Sequence, residues 1–421
     1  MIRMNITAST KRFINNNFHA LTHKNYRYFW LGQCVSLIGT WTQSIGQSWL
    51  VLSLTGSPLL LGLVGTMQFL PVTFFSLFAG VLTDKFPKKK ILLFTQTISM
   101  ILAFTLSALV FTHTVKYEYI IVLALCLGFC NTLDMPTRQA FNVEIVGKED
   151  LMNAITLNSA TFNLARIIGP AIGAMLMAYL GAGWCFLLNG FSFVAVIYGL
   201  CHIEVTKFVK RKNSEKSMLK EINDGLKYIK GKPILLETLI LVSIVGIFLF
   251  NYNVLIPVFT KNVLHMGERT YGSLMSALGA GSLIGALIMS FKSKSGPSKT
   301  RMIRSAIAIG IMIIFTGISN LYYFTAISLA ITGIFNMFFS TTANTTLQIN
   351  SRDEYRGRVM SVYSLVFAGT TPIGNLFSGF VAEKCGSGAT FIISGVSTLI
   401  LILLLLTWVR IRKKNDIVDF S

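Results

Sequence analysis

Long apolar runs follow one another along the chain, separated by short clusters of charged and turn-forming residues. Each run is long enough to cross a bilayer as a helix, because about 20 apolar residues span the hydrocarbon core. The runs cover residues 26–54, 58–83, 89–112, 117–137, 152–180, 184–203, 234–262, 270–291, 302–319, 321–347, 357–382 and 389–410. This pattern predicts an all-α membrane protein with twelve transmembrane helices.

The longest polar segment divides the spans into two sets of six. Helical spacing of five apolar residues within it predicts an amphipathic helix that lies against the bundle, and a regulatory or partner-binding helix is the alternative. Those residues are Met218, Leu219, Ile222, Leu226 and Ile229, behind a candidate cap at Ser214. The predicted parts are an N-terminal tail (1–24), a six-helix half (25–203), a linker (204–232), a second six-helix half (233–410) and a C-terminal tail (411–421).

The distribution of charged residues indicates the class of protein and the orientation of its spans in the membrane. Only 13% of the residues are charged, about half of the roughly 25% that is usual in soluble domains, which excludes an ordinary soluble enzyme. The net charge of +20 would suggest a nucleic-acid partner in a soluble chain. Most of the 37 Lys and Arg, however, fall on the side of the predicted spans that holds both termini. The positive-inside rule therefore predicts cytoplasmic termini, with anionic lipid head groups rather than nucleic acid as the counter-charge.

Motifs for metal or enzyme chemistry are missing from the sequence. The six cysteines lie in or beside apolar runs and form no CxxC pair, so neither a zinc site nor a disulfide framework is predicted. His19 and His23 have a ligand-like spacing but no third ligand near them in the sequence. We therefore predict no metal, no cofactor and no catalytic centre.

A loop motif follows the second span. In GVLTDKFPKKK (80–90), Gly80 permits close packing, and Asp84 can meet a facing helix N-terminus or an arginine. Lysines such as Lys85 and Lys88 anchor the loop at the cytoplasmic face. The stretch resembles the loop signature of the major facilitator superfamily, G-x-x-x-D-R/K-x-G-R/K-R/K, with Pro87 in place of the second glycine. The resemblance implies a secondary transporter whose two halves rock about a central substrate site.

Five further stretches narrow the resemblance to the subgroup of enterobactin and macrolide exporters. They are DMPTRQAF (134–141), LMNAITLNSATFNLARIIGPAIGA (151–174), EINDGLKYIKGKPIL (221–235), LIPVFTKNVL (255–264) and YRGRVMSVYSLVFAGTTPIG (355–374). The resemblance implies proton-coupled efflux of a siderophore or drug by a monomer in the bacterial plasma membrane. An importer or lysophospholipid flippase of the same fold is the alternative, and a non-transporting sensor or an enzyme is a remote one.

Within the second of these stretches, Gly169, Pro170 and Gly173 match a motif of the superfamily that is associated with antiporters. The alternative is that these residues only let helices approach closely and bend.

Few ionisable residues lie within the spans, and each marks a candidate site because charge is costly there. Asp134 and Arg138 stand four residues apart, a spacing that lets them pair on one helix face. Arg166 lies deeper, in the fifth span, with Asp134 as the predicted partner. We hypothesise that protonation of Asp134 couples transport, and a permanently ionised structural pair is the alternative. By the resemblance, Asp84, Arg138 and the loop with Arg356 and Arg358 close the cytoplasmic side.

Neutral polar residues predict the lining of a substrate cavity. Gln33, Ser36, Thr40, Gln43, Ser44 and Gln47 form a stripe along the first span. Further candidates on other spans are Asn131, Asn163, Asn251, Asn336, Tyr363 and Ser364. We expect about half of them to serve helix packing instead. The 32 Phe and 16 Met offer adaptable apolar walls, so the predicted cargo is amphipathic and uncharged or weakly charged.

Overall fold

The computed structural model describes residues 19–147, 149–204, 218–291 and 296–418. This part is about 90% helical. A short 3-10 helix, His19–Thr22, leads into α1 (Lys24–Thr55), α2 (Pro58–Lys85), α3 (Lys88–Phe111), α4 (Tyr117–Val146), α5 (Leu151–Leu180), α6 (Gly183–Cys201), α7 (Met218–Lys230), α8 (Pro233–Phe248), α9 (Tyr252–Asn262), α10 (Glu268–Phe291), α11 (Lys299–Ile318), α12 (Tyr322–Ile349), α13 (Asp353–Cys385) and α14 (Ser387–Val418). Most of the predicted N-terminal tail, the candidate cap Ser214 and the last three residues lie outside the described residues.

Eleven helical stretches of the described chain are long and apolar enough to cross a membrane. They correspond to α2–α6, to α8 and α9 taken as one span, and to α10–α14. The helix α1 has 32 residues, about 48 Å at 1.5 Å per residue, but its polar stripe lowers its hydropathy. The all-helical membrane class is confirmed, whereas the twelfth crossing and the side of the termini stay predictions.

Tight connections set neighbouring helices antiparallel. After α1, Gly56 adopts a left-handed conformation with φ of 65°, which a residue without Cβ accepts readily. Ser57 then caps α2, since its hydroxyl accepts a hydrogen bond from the Leu60 amide at 3.2 Å. Pro58 follows at the first helical position, where its missing amide hydrogen costs nothing.

Helix contacts repeat between the two parts of the chain. In the N-terminal part, α1 packs on α5 and α6, α2 on α4, and α3 on α4 and α6. In the C-terminal part, α10 packs on α12, and α11 on α12 and α14. The two parts meet through α2 against α13 and α5 against α10. These two contacts between the parts are equivalent to each other, as expected for a parallel repeat.

One end of the bundle carries the start of α1, and we name it the terminal end; the end where α1 gives way to α2 is the distal end. At the terminal end, Lys89 Nζ at the start of α3 donates to the carbonyl of Ile203 at 2.8 Å, just after α6. The linker helix α7 also lies there. Its Ile229 is 2% exposed, and Tyr228 stacks on Tyr355 of α13 at 4.3 Å.

Candidate functional site

Asp134 on α4 is held by three side chains. Its Oδ1 accepts hydrogen bonds from Thr95 Oγ1 at 2.9 Å and from Gln96 Nε2 at 2.8 Å, both on α3. Its Oδ2 accepts hydrogen bonds from Arg138 Nε at 2.8 Å and Nη2 at 2.5 Å. The residue is 8% exposed, so a two-pronged arginine contact and two neutral donors compensate its buried charge. The predicted pairing of Asp134 with Arg138 is confirmed.

The predicted gate residues surround this pair at the terminal end. Asp84 lies in the last turn of α2, and its side chain is outside the described part of the structure. Its neighbour Thr83 has its hydroxyl oxygen 2.9 Å from that of Thr137, so the end of α2 packs on α4 one residue before Arg138. Gly80 is partly buried in α2 and Lys85 is exposed at its end, while Lys88 forms a 2.9 Å ion pair with Glu144.

The predicted gate arginines of α13 contact the linker helix and α12. Arg358 Nη1 lies 3.8 Å from Asp224 Oδ2 on α7. Arg356 Nε donates to the carbonyl of Gln348 at 3.2 Å. These contacts tie the start of α13 to the linker helix and to α12.

Arg166 is not paired with Asp134, and that expectation was wrong. The guanidinium Cζ lies 5.9 Å from the ring centroid of Trp41 on α1, and the side chain is within electrostatic range of Tyr252 at the start of α9. Asp134 has its oxygens occupied elsewhere, as described above. The physical reason is direction: the Arg166 side chain lies beside Trp41 of α1 and within electrostatic range of Tyr252, while Asp134 faces α3.

The antiporter-like motif joins three helices. A Cβ on Gly169 would collide with Trp41, and one on Gly173 would come within 3.1 Å of the Thr42 carbonyl, so α5 lies directly on α1. The Thr42 hydroxyl also donates to the Gly169 carbonyl at 3.1 Å. On the other side, the Pro170 carbonyl would lie 2.8 Å from a Cβ on Gly272 of α10. The two glycines therefore allow α5 to pack closely on α1, and the Pro170 carbonyl lies at the interface between the halves. The association of the motif with antiporters stays a prediction.

The polar stripe of α1 is divided between packing and open space. Gln43 is 7% exposed and its Oε1 accepts a 2.7 Å hydrogen bond from Asn189 of α6, so it serves packing within the first half. Gln33 and Gln47 are also buried, whereas Thr40 is exposed. On the other helices, Asn131, Asn163 and Tyr363 are partly exposed and Ser364 is exposed.

A break in the seventh predicted span places polar groups in the bundle interior. Helix α8 ends at Phe248 and α9 begins at Tyr252, with Asn251 before it. The Asn251 side chain is 3% exposed, and its Oδ1 has no hydrogen-bond partner in the described part of the chain. Tyr252 and Asn336, both buried, are joined by a 2.9 Å hydrogen bond from Nδ2 to the phenol oxygen. Discontinuous helices of this kind recur at transporter substrate sites.

Sequence reasoning missed Trp41, whose ring lies beside Arg166, and Tyr252, which is within electrostatic range of it. It also missed Asn189, the partner of Gln43. For Tyr252 a signal was available, since the segment NYN at 251–253 interrupts an otherwise apolar run. Nothing in the spacing singles out Trp41 or Asn189, because each is one of many aromatic or amide residues in the spans.

The halves are hydrogen-bonded to each other at the distal end. Glu383 Oε2, near the end of α13, accepts hydrogen bonds from the Ser57 hydroxyl at 2.7 Å and the Leu59 amide at 3.2 Å. Lys261 Nζ donates to the Leu52 carbonyl at 3.3 Å. At the terminal end, the ion pairs Asp134–Arg138, Lys88–Glu144 and Glu237–Lys299 each lie within one half.

A histidine pair at the terminal end gains a third group. His19 Nδ1 and His23 Nε2 lie 2.8 and 2.7 Å from the two carboxylate oxygens of Asp150, between α4 and α5. These hydrogen bonds, above all that of His23, lower the pKa of Asp150. The sequence hid this contact because Asp150 is 127 residues from His23. The cluster ties the N-terminal segment to the α4–α5 connection, and the absence of a metal site stays a prediction.

Solved transporter structures share this fold. The nucleoside transporter NupG superposes with a TM-score of 0.70 at 14% identity, covering 92% of this chain and 98% of that one. A bacterial homologue of the human lysosomal transporter Spinster, in an inward-facing and unoccupied conformation, superposes with a TM-score of 0.66 at 12% identity, covering 92% and 95%. The described chain therefore has the fold of these transporters.

The chain belongs to the transmembrane secretion effector family, whose model matches residues 15–419. It is 28% identical to the staphyloferrin A transporter of Staphylococcus aureus over 89% of this chain and 93% of that protein. It is 26% identical to the multidrug efflux pump Tap of Mycolicibacterium fortuitum, over 84% and 88%, and 24% identical to the enterobactin exporter EntS of Shigella flexneri, over 93% of each. The protein is a multi-pass membrane transporter rather than an enzyme, and in a bacterium its membrane is the inner one.

Proposed function

We propose that the protein is a secondary transporter that exports an amphipathic small molecule, a siderophore or a drug, by alternating access. The observation that carries this proposal is the position of the contacts between halves. Two helix ends, those with Ser57 and Glu383, are hydrogen-bonded across the interface at the distal end. Two relatives named as a multidrug efflux pump and an enterobactin exporter support the direction.

We infer that the terminal end faces the cytoplasm and that the protein is a monomer with twelve crossings. Anionic lipids surround its basic loops. The conformation is then closed toward the outside and receives substrate from the cytoplasm. In the opposite state, Asp84, Lys85, Lys88 and Arg138 meet Arg356 and Arg358 and close the cytoplasmic side. Gly80 and the Gly169 motif let the helices on either side of the interface move as packed bodies.

Substrate passes between the halves. The exposed and partly exposed polar residues Thr40, Asn131, Asn163, Tyr363 and Ser364 offer hydrogen bonds along this route. Asn251 and Asn336 lie deeper, at the helix break. Gln43 is engaged in packing, so it is not among the residues that we assign to the substrate.

Protons drive the export, and Asp134 is the group that takes them up. Neutralising this carboxylate removes the charge that holds Arg138, and the freed guanidinium then pairs elsewhere at the cytoplasmic gate. The alternative is a pair that stays ionised through the whole cycle, for which the four hydrogen bonds to Asp134 give a reason.

Inside-out vesicles from efflux-deficient bacterial cells separate these cases. The substrate is first identified from drug resistance or siderophore release of the same cells. When the interior of the vesicles is made acidic, the wild-type protein is expected to concentrate this substrate inside them. Asp134→Asn is expected to lower this gradient-driven uptake at least tenfold while leaving downhill exchange intact. Glu118→Gln, a change at an exposed distal residue, is the matched control. Unaltered gradient dependence in Asp134→Asn would leave the structural pair as the explanation, and movement only in the opposite direction would show an importer.

A further inference from the structure

Arg166 carries a charge that the described protein does not neutralise. It lies on α5 one turn before Pro170, in a predicted membrane span. In the described part of the chain its guanidinium has neither an ion pair nor a hydrogen bond to a protein acceptor. Arginine within a span ordinarily pairs or faces a water-filled cavity, because its charge is costly in hydrocarbon.

The backbone around Arg166 lies on the interface between halves. The hydroxyl of Ser276 on α10 donates to the Ile167 carbonyl at 3.1 Å. A Cβ on Gly279, one turn further along α10, would come within 2.7 Å of the Arg166 carbonyl. The residue therefore lies where α5 of one half meets α10 of the other, and substrate sites of secondary transporters lie at the interface between such halves.

The surroundings of the guanidinium suit an anion with an apolar body. Trp41 lies on one side, with its ring centroid 5.9 Å from Cζ and Phe162 packed against it at 5.7 Å. Tyr252 of the other half is the nearby polar group. Its oxygen accepts the amide hydrogen of Asn336 at 2.9 Å, and its own hydrogen is donated to Asn336 Oδ1 at 3.3 Å. That second hydrogen bond is long, and a bound anion would replace it as the acceptor.

We propose that Arg166 is the binding site for a carboxylate of the transported molecule. The planar guanidinium offers two parallel N–H donors that match the two oxygens of a carboxylate, and the Tyr252 hydroxyl supplies a third donor from the opposite half. Trp41 and Phe162 receive the apolar part. The preferred cargo is thus an amphipathic organic acid, which changes the expectation from composition of an uncharged or weakly charged cargo. The proposal rests on the transport function proposed above.

A substrate bound at this site also affects the relative positions of the two halves. A carboxylate that bridges Arg166 on α5 and Tyr252 on α9 contacts both halves at once, so its arrival changes the energy of their relative positions. An uncharged analogue of the same shape fills the aromatic wall but gains little from the guanidinium.

Binding of matched acids and esters to the purified full-length protein tests the proposal. The probes are dansylglycine and its methyl ester, with a panel of other aromatic acid and methyl ester pairs, and the readout is tryptophan fluorescence. At least one acid is expected to bind the wild type tenfold or more tightly than its ester. Arg166→Gln is expected to abolish this preference, and Arg166→Lys to keep part of it. Lys116→Gln removes a cation from a distal connection and is expected to leave the preference intact. Size-exclusion profiles establish that each variant is folded.

Two results would overturn the carboxylate site: no acid in the panel binds the wild type better than its ester, or folded Arg166→Gln keeps the preference. Transport of the same pairs distinguishes this failure from failure of the transport function. Equal rates of efflux for ester and acid would contradict the carboxylate site but not the export function. Selective binding of the acid with no movement across the membrane would contradict the export function but not the site.

Discussion

The carboxylate of Glu383, near the end of α13, accepts a 2.7 Å hydrogen bond from the hydroxyl of Ser57, the residue that caps the start of α2. The same carboxylate oxygen accepts the Leu59 amide at 3.2 Å. An acid from one half thus occupies the helix N-terminus of the other, where free amide hydrogens and the helix dipole favour negative charge. In the proposed alternating-access cycle, this contact closes the distal end.

Glu383→Gln is expected to loosen that closure. The loss of a charged hydrogen bond at an exposed site amounts to about 1 kcal/mol, roughly a fivefold shift in population. A cysteine at Thr66, which is 2% exposed and hydrogen-bonded to the Pro372 carbonyl across the interface, reports the change by its rate of labelling from outside with an impermeant maleimide. The protein used for this measurement carries no other cysteine. Glu118→Gln is the control, and equal labelling rates in both variants would contradict a latch at Glu383.

Arg138→Gln is expected to destabilise the protein more than the loss of an exposed ion pair does. It leaves the buried Asp134 with only its two neutral donors, a change that costs about 3 kcal/mol. The double variant with Asp134→Asn should recover part of that loss, since no uncompensated charge then remains. The pair Lys88–Glu144, whose carboxylate is more exposed than that of Asp134, provides the comparison, with about 0.5 kcal/mol expected for Lys88→Gln. Thermal unfolding in detergent gives the ranking, and equal losses for Arg138→Gln and Lys88→Gln would contradict it.

Gly169→Ala is expected to weaken the contact between α5 and α1 by about 2 kcal/mol, because the new methyl group meets Trp41 and the Ile38 carbonyl. Gly357→Ala is the matched control within a helix, since nothing lies within 4 Å of a Cβ at that position. The control should be neutral or slightly more stable, as alanine favours helices over glycine. Similar melting temperatures for the two variants would mean that the motif does not pack as described.

Acid is expected to release the N-terminal segment from the α4–α5 connection. Because its pKa is lowered in the folded protein, Asp150 contributes stability above its unfolded pKa of about 3.9 and loses it as the pH falls through the folded value. Proteolysis of the N-terminal segment should therefore be faster in Asp150→Asn than in the wild type at pH 6, and equal in the two near pH 2 to 3, with an acid protease. The difference should shrink in high salt, since the pair is exposed. A difference that persists at the lowest pH would contradict this assignment.

The sequence predicted the helices well because their signal is long and repeated. Runs of about 20 apolar residues leave a bilayer helix as the main solution, and turn residues such as Gly56 and Pro58 mark where α1 ends and α2 begins. Local charge pairs were predictable for a similar reason, since Asp134 and Arg138 are one helical turn apart and their contact depends on little else.

Contacts between distant helices could not be read from the sequence. Arg166 was assigned Asp134 as its nearest plausible partner, but the rotation of α5 turns it toward Trp41 and Tyr252. In the same way, Gln43 belongs to a stripe typical of a cavity, yet Asn189 on α6 takes its hydrogen bond. The Ser57–Glu383 contact joins residues 326 positions apart. Each depends on helix rotation, which hydropathy leaves open when several faces are apolar.

The most direct test of the account is to hold the distal end closed during transport. Ser57→Cys and Glu383→Cys in a cysteine-free background are joined by a reducible bifunctional methanethiosulfonate reagent. The matched control is Thr112→Cys with Thr114→Cys, a distal pair whose hydroxyl oxygens lie 2.8 Å apart within one half. Alternating access predicts that cross-linking the first pair abolishes efflux, that dithiothreitol restores it, and that the control pair has no effect. Undiminished efflux with Ser57→Cys and Glu383→Cys fully cross-linked would contradict the account.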